Sequence, residues 1–358
     1  MKLYIKLFEE FIAEGGWATT KTQGTSITPD VIGEVVKLME KISKGFNQHL
    51  ASIGLPPLDF VRPIGSGTWW TEDLENQPDK TYGDVDYLVG YPTLALDANE
   101  RNNEISSTKL YNSEFMDWLK SAKIPEVDLE ESQAVSSDAS LKLILEVAMR
   151  NGGVGYVQVD LVVTPQEYTQ WTLFRMTPIR NVKGFVLGNL YSSLGEVLDI
   201  SIQARGVRAK FNGQVMAPYS KRAGVDDILI TADAQNFIRD IGKFFWEQSG
   251  TSQKYEPASR LANWRGMNAN SPKFEDLCEG IRGLGETLEQ LGEFGTTIKY
   301  KSADEFYRAV VARYEEKMMK MFNASKFNKA ESPEAIKTIE KVRKVIQEYV
   351  ALAKSLLK

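Results

Sequence analysis

The sequence predicts an α+β protein, with a small mixed or antiparallel sheet in its first half and a mostly helical C-terminal region. Three observations carry that expectation. Leu141 to Met149 and Val154 to Val163 flank an Asn151-Gly152-Gly153 turn, the pattern of a β-hairpin. A short strand precedes the hairpin, Asp84 to Val89, ended by Gly90-Tyr91-Pro92. Beyond about residue 165 the apolar spacing becomes helical almost throughout. The expected division is a first domain over 1–165 and a mostly helical second domain over 166–358, the latter covering a cleft.

The elements follow in order. The first fourteen residues suggest an amphipathic helix ending at Gly15-Gly16, and a polar loop comes next. Thr28-Pro29-Asp30 opens a longer helix with proline in its first turn, and Ile32, Val35, Val36, Met39 and Ile42 keep helical spacing. The stretch from Phe60 to Ile64 leads into Gly65-Ser66-Gly67, and the polar insert TEDLENQPDK separates this turn from the 84–89 strand. A helix is expected around 107–120. After the hairpin, helices are expected near 166–175, 185–200, 226–248, 275–292, 302–323 and 333–357. The last has Ser332 as N-cap, Pro333 in the first turn and an apolar stripe through Ile339, Val342, Ile346, Tyr349, Ala353 and Leu356. Packing against the preceding helix is the expected use of that stripe.

Composition narrows the chemistry. A single Cys, Cys278, cannot form an internal disulfide, and one Cys with one His cannot build a structural zinc site. His49, the only imidazole, lies in a helical stretch without a nucleophile motif nearby and reads as an ordinary helix residue. Catalysis is therefore expected to run on carboxylates. No run of apolar residues is long enough to span a bilayer, and Glu9 and Glu10 interrupt the N-terminal apolar residues, so no membrane partner and a cytoplasmic location are expected. The net charge of −5 argues against a wholly basic nucleic-acid surface. It leaves room for a local one, and Arg205, Arg208, Lys210, Lys221 and Arg222 form the densest cationic neighbourhood outside the C-terminal helices.

The informative constellation is Gly65-Ser66, then Asp84-Val85-Asp86, then Asp160 on the returning hairpin strand. Residues two apart in a strand share a face, so Asp84 and Asp86 project together while Val85, Tyr87 and Val89 face a core. If the 154–163 strand lies beside the 84–89 strand, Asp160 joins them. Like charges so close disfavour joint ionisation and call for a cation. Carboxylate oxygens suit Mg²⁺ or Mn²⁺. A glycine-permitted turn entering a helix presents N–H groups and a hydroxyl to phosphate oxygens. Together the two features point to a nucleoside triphosphate.

This arrangement resembles the DNA polymerase β-like nucleotidyltransferase superfamily over roughly residues 30–165. The resemblance implies two bound cations, Mg²⁺ or Mn²⁺. Asp84 and Asp86 would bind both, Asp160 would bind the one that activates the acceptor hydroxyl, and Gly65 and Ser66 would hold the β- and γ-phosphates. Three departures stand beside it: a long interval between Ser66 and Asp84, the Gly-Ser-Gly turn followed by Trp69 and Trp70, and no arginine-rich template motif of the bacterial CCA-adding kind.

The first functional expectation is template-independent transfer of a nucleoside monophosphate from an NTP to an RNA 3′ hydroxyl, as in a poly(A) polymerase or tRNA nucleotidyltransferase. Nucleotidylation of a protein or small molecule, or synthesis of a nucleotide signal, stands second. A non-catalytic binding or assembly protein that retains the fold stands third. Arg205, Arg208, Lys210, Lys221 and Arg222 are the candidates for phosphate or RNA-backbone contact. Trp69, Trp70, Tyr191, Tyr219 and Trp264 are candidates for base stacking, with core packing the default for each.

Overall fold

The computed structural model describes residues 25–96, 100–134, 140–150, 152–180, 182, 184–203, 205–211, 216–217, 226–268, 270–291, 300–322 and 333–358. The helix expected in the first fourteen residues falls outside them, as do Tyr219, Lys221 and Arg222. The architecture is α+β. The chain divides into two compact units, the first ending at Thr169 and the second beginning at Gln170.

The first unit is built on a five-stranded mixed sheet in the order β1-β2-β5-β4-β3. Its strands are β1 (Asp59–Ile64), β2 (Val85–Tyr91), β3 (Gln133–Ala134), β4 (Ser140–Ala148) and β5 (Val154–Pro165). The β4–β5 hairpin forms as the alternation predicts, with Leu143 opposite Val159 and Leu145 opposite Val157. β2 runs antiparallel to β1 but parallel to β5. Antiparallel neighbours can be joined by a tight turn, whereas parallel ones need a crossover. Here the crossover contains α3 (Glu100–Ala122) together with β3 and β4.

One face of the sheet is covered by α1 (Pro29–Ser52) and α3. Val31, Ile32, Val35, Met39, Ile42, Phe46 and Leu50 recur at helical spacing and are all buried, packing into one core with Val85, Tyr87, Val89, Val157, Val159 and Leu161. Phe46 meets Phe115 of α3 edge-on, ring centroids 4.8 Å apart. The two helices approach closely at Gly45, where a Cβ would lie 2.8 Å from the Trp118 ring. The polar insert is not a loop throughout. Its first part forms α2 (Trp70–Asn76), which follows the Gly-Ser turn directly, and Trp70 packs against α1 at Gly33.

The second unit contains α4 (Thr169–Met176, with Thr169 still counted in the first unit), α5 (Phe185–Val197), α6 (Phe237–Gln248), α7 (Ser259–Asn263), α8 (Phe274–Gln290), α9 (Ala303–Phe322) and α10 (Pro333–Leu356). It is less purely helical than the sequence suggests. β7 (Gly206–Phe211) pairs antiparallel with β6 (Ser201–Gln203), β8 (Met216–Ala217) and β9 (Asp226–Thr231). The helix expected over 226–248 is therefore a strand, a turn and then α6. The turn has a local cause: Asp233 Oδ1 accepts hydrogen bonds from the backbone N–H groups of Gln235 and Asn236, which competes with continued helix. Trp171, Phe174, Tyr191 and Phe237 cluster at the centre of this unit, each buried. α10 packs against the preceding helix, α9, as expected, and its stripe also reaches α8, where Tyr349 meets Phe274 at 5.0 Å. Among the described residues no helix is long and apolar enough to cross a membrane.

Candidate active site

The pleat of β2 buries Val85, Tyr87 and Val89 under the helices, which commits Asp86 to the opposite face of the sheet. Asp84 immediately precedes the strand. The parallel pairing of β2 with β5 sets Asp86 directly beside Asp160, with Val85 beside Val159 and Tyr87 beside Leu161. A slip of one residue would turn one of the two aspartates into the core, so the hydrophobic pattern on the covered face holds the carboxylates together on the other.

The electrostatics follow from this register. Burial pushes the Asp86 carboxyl well above the ordinary carboxylate range, and the neighbouring charges of Asp84 and Asp160 push it further in the same direction. Asp84 and Asp160, both predicted from sequence, are therefore close enough to act on Asp86. Among the described residues no group of three or more His, Cys, Asp or Glu side chains converges in metal-ligating geometry. Asp160 instead accepts from Gln158 on both oxygens, at 3.0 and 3.1 Å.

β1 delivers the Gly-Ser turn to the same place. Ile64 pairs with Asp86, and the next residue, Gly65, takes a left-handed φ of +61°. A Cβ at Gly65 would sit 2.7 Å from Asp86 Oδ2, so only glycine allows the backbone to run this close to the carboxylate. Gly65 to Trp69 form a 3-10 turn that continues into α2. A left-handed residue followed by right-handed ones directs successive N–H groups toward one side, a geometry suited to anions. Ser66 is exposed at the start of this turn. Further along it, the Thr68 hydroxyl and the Trp69 indole N–H are buried without a hydrogen-bond partner among the described residues.

A buried polar group braces the approach to Asp84. Asp73 of α2 is fully buried and accepts hydrogen bonds from Lys80 Nζ at 2.6 Å and from the Tyr82 hydroxyl at 2.5 Å. The backbone N–H of Tyr82 donates to the Ile27 carbonyl. The segment between α2 and the aspartates is thus tied back to α2 and to the chain before α1.

The donor set suits a hard divalent cation. It combines three oxygen-bearing side chains, a concentration of negative charge that Asp86 registers, and a glycine cradle a side chain would fill. Residues the sequence does not single out also belong to this face. Gln158 contacts Asp160, and Lys142 of β4 stands opposite Asp160 in the hairpin register. Strand alternation places both on the aspartate face; nothing in the sequence alone pairs either with Asp160.

The basic candidates lie in the second unit. Val207 and Ala209 are buried, which directs Arg208 and Lys210 to the other face of β7. Lys210 forms an ion pair with Asp227 at 3.4 Å, and the Arg208 guanidinium donates to the Arg205 carbonyl. Tyr191 and Trp264 are buried in the core of the second unit and offer no stacking face. His49 lies 3.5 Å from Glu114 and stacks on Phe46, consistent with an ordinary helix residue. Cys278 is buried, and burial pushes its thiol up, away from reactivity.

Comparison of the chain with protein-family models and with curated proteins finds no match.

Proposed function

We propose that this protein is a metal-dependent nucleotidyltransferase with a polymerase β-like catalytic core in its first unit. The observation that carries the reading is the in-register pairing of Asp86 with Asp160, with Gly65 packed against Asp86. Acidic side chains at those positions are costly to folding, and a divalent cation bound to a triphosphate gives them a use.

In this reading Asp84, Asp86 and Asp160 hold two Mg²⁺ or Mn²⁺ ions. Bound there, the cations would lower the pKa of the attacking hydroxyl and neutralise the triphosphate. The Gly65–Trp69 turn supplies backbone N–H groups and the Ser66 hydroxyl to the β- and γ-phosphate oxygens. The acceptor hydroxyl gives up its proton to water as a bond forms between its oxygen and the α-phosphorus, the bond from that phosphorus to the bridging oxygen breaks, and pyrophosphate leaves with the electron pair. The chain's own contribution is to hold these groups in line and to fix the carboxylates before substrate arrives. The acceptor in the first instance is an RNA 3′ hydroxyl, with Arg205, Arg208, Lys210, Lys221 and Arg222 as candidate contacts to phosphate.

The test is nucleotide incorporation. Purified protein is incubated with Mg²⁺ or Mn²⁺, each α-labelled nucleoside triphosphate and mixed RNA, beside an Asp84→Ala/Asp86→Ala variant and a lane without RNA. Label entering RNA, and lost in the variant, is the expected result. Label on protein or in a new small product moves the acceptor and keeps the chemistry. Absence of any variant-sensitive incorporation or pyrophosphate release overturns the reading in favour of a binding role.

A further inference from the structure

We propose that Gln158 is the positioning residue for Asp160: its neutral amide fixes the carboxylate plane so that this aspartate can take its place in the cation site. The proposal rests on the nucleotidyltransferase reading above and adds a residue to it.

Gln158 is 4% exposed, unusually enclosed for a glutamine. Burying an amide costs free energy unless its hydrogen bonds are made. Gln158 Nε2 donates to both oxygens of Asp160, at 3.0 and 3.1 Å. The geometry is informative. One nitrogen nearly equidistant from two oxygens lies close to the bisector of the carboxylate, so rotation of that group lengthens one bond or the other. The two residues are two apart on β5 and share the face that turns away from α1 and α3, and the strand itself sets their spacing. Opposite Gln158 on β4 stands the buried Ile144, an apolar neighbour that brings no competing side-chain hydrogen bond.

The residue type matters as much as the contact. Lys142 already stands across the hairpin from Asp160; a further lysine or arginine in place of Gln158 would orient Asp160 but add a second positive charge competing with a divalent ion for the same carboxylate. An amide orients without neutralising. Hydrogen-bonded partners of metal ligands act in this way, and their loss costs roughly 10- to 100-fold in metal affinity.

The experiment is a Mn²⁺ titration followed by electron paramagnetic resonance, on the full-length protein with a non-hydrolysable nucleoside triphosphate analogue. Wild type, Asp160→Asn and Gln158→Leu are compared, with Gln158→Met read instead if the leucine variant loses its cooperative thermal transition. The expected result is loss of the Asp160-dependent Mn²⁺ site in Asp160→Asn. The Gln158 variant weakens that same site by about 10- to 100-fold. Analogue binding through the remaining site stays at the wild-type level. Superimposable titrations of wild type and the Gln158 variant overturn the proposal, as does equal weakening of both sites. Wild type taking up no Mn²⁺, or Asp160→Asn binding as wild type does, overturns the nucleotidyltransferase reading itself.

Discussion

Asp86 is held where its charge is unwelcome, by burial first and then by Asp84 and Asp160. Its pKa in the folded chain is raised, so the folded protein binds its proton more tightly than the unfolded chain does. This destabilisation is absent at low pH, grows as pH rises through the unfolded value, and is complete above the folded one. Asp86→Asn removes it. In chelator at neutral pH the variant is expected to melt roughly 2–4 °C higher, corresponding to about 1 kcal/mol, while losing nucleotide incorporation. Calorimetry and the incorporation assay check the two halves, and a lower melting temperature would contradict the charge argument. Gly65→Ala tests the neighbouring backbone. The left-handed φ costs an alanine about 1–2 kcal/mol. The new Cβ also meets Asp86 Oδ2 at 2.7 Å and must displace the carboxylate. Displacement of a catalytic group by about an ångström costs on the order of 10²-fold in rate. The expected variant is folded, modestly less stable and at least that much slower, measured as kcat/KM for the triphosphate.

Between elements, α5 and α9 are joined by Glu196, which accepts hydrogen bonds from Arg313 and Lys317, while Lys317 also reaches Ser192. Burial works against the charged form of Glu196, but the two cations outweigh it and hold the carboxyl below its ordinary value. Stability from this contact is therefore present above the unfolded pKa, near 4.5, and is lost as pH falls through the lowered folded pKa. The side chains are 17–41% exposed, so solvent screening keeps the contribution to about 0.5–1 kcal/mol. Urea unfolding should show Glu196→Gln weaker than wild type by that amount at pH 7, with the two converging at pH 3. At this scale the sequence is legible where periodicity is long. α1, α10 and the β4–β5 hairpin repeat their apolar spacing over many residues and form where expected. β6, β8 and β9 are two to six residues long. Segments that short carry too few repeats to separate strand from helix, and the apolar residues of β9 run on towards those of α6, so the sequence predicts one helix across both. The faces of Asp86 and Asp160 are legible because alternation alone assigns a strand residue to a face, whereas Asp84 stands one residue before β2. The parallel register that unites them, and the hydrogen bonds from Gln158, depend on partners distant in sequence that no local pattern names.

At the level of the whole chain, each unit has its own buried core, the first between sheet and helices, the second around Trp171, Phe174 and Phe237. Separate cores favour separate cooperative transitions. Calorimetry is expected to resolve two, and Mn²⁺ should raise only the one that Asp86→Asn also raises, since a ligand stabilises the unit that binds it. A single transition, or a Mn²⁺ shift in the other one, would contradict this assignment. The parallel pairing of β2 with β5 also governs how the first unit is reached in time. Between these strands the chain must complete a helix and turn back through a hairpin before Asp86 can lie beside Asp160, and contacts so remote in sequence close slowly. The charge repulsion is met at that closure and not before. Folding of the first unit thus has its steepest electrostatic climb at the step that brings Asp86 beside Asp160, and under the proposed reading a divalent cation added during refolding would act as a lubricant for assembly.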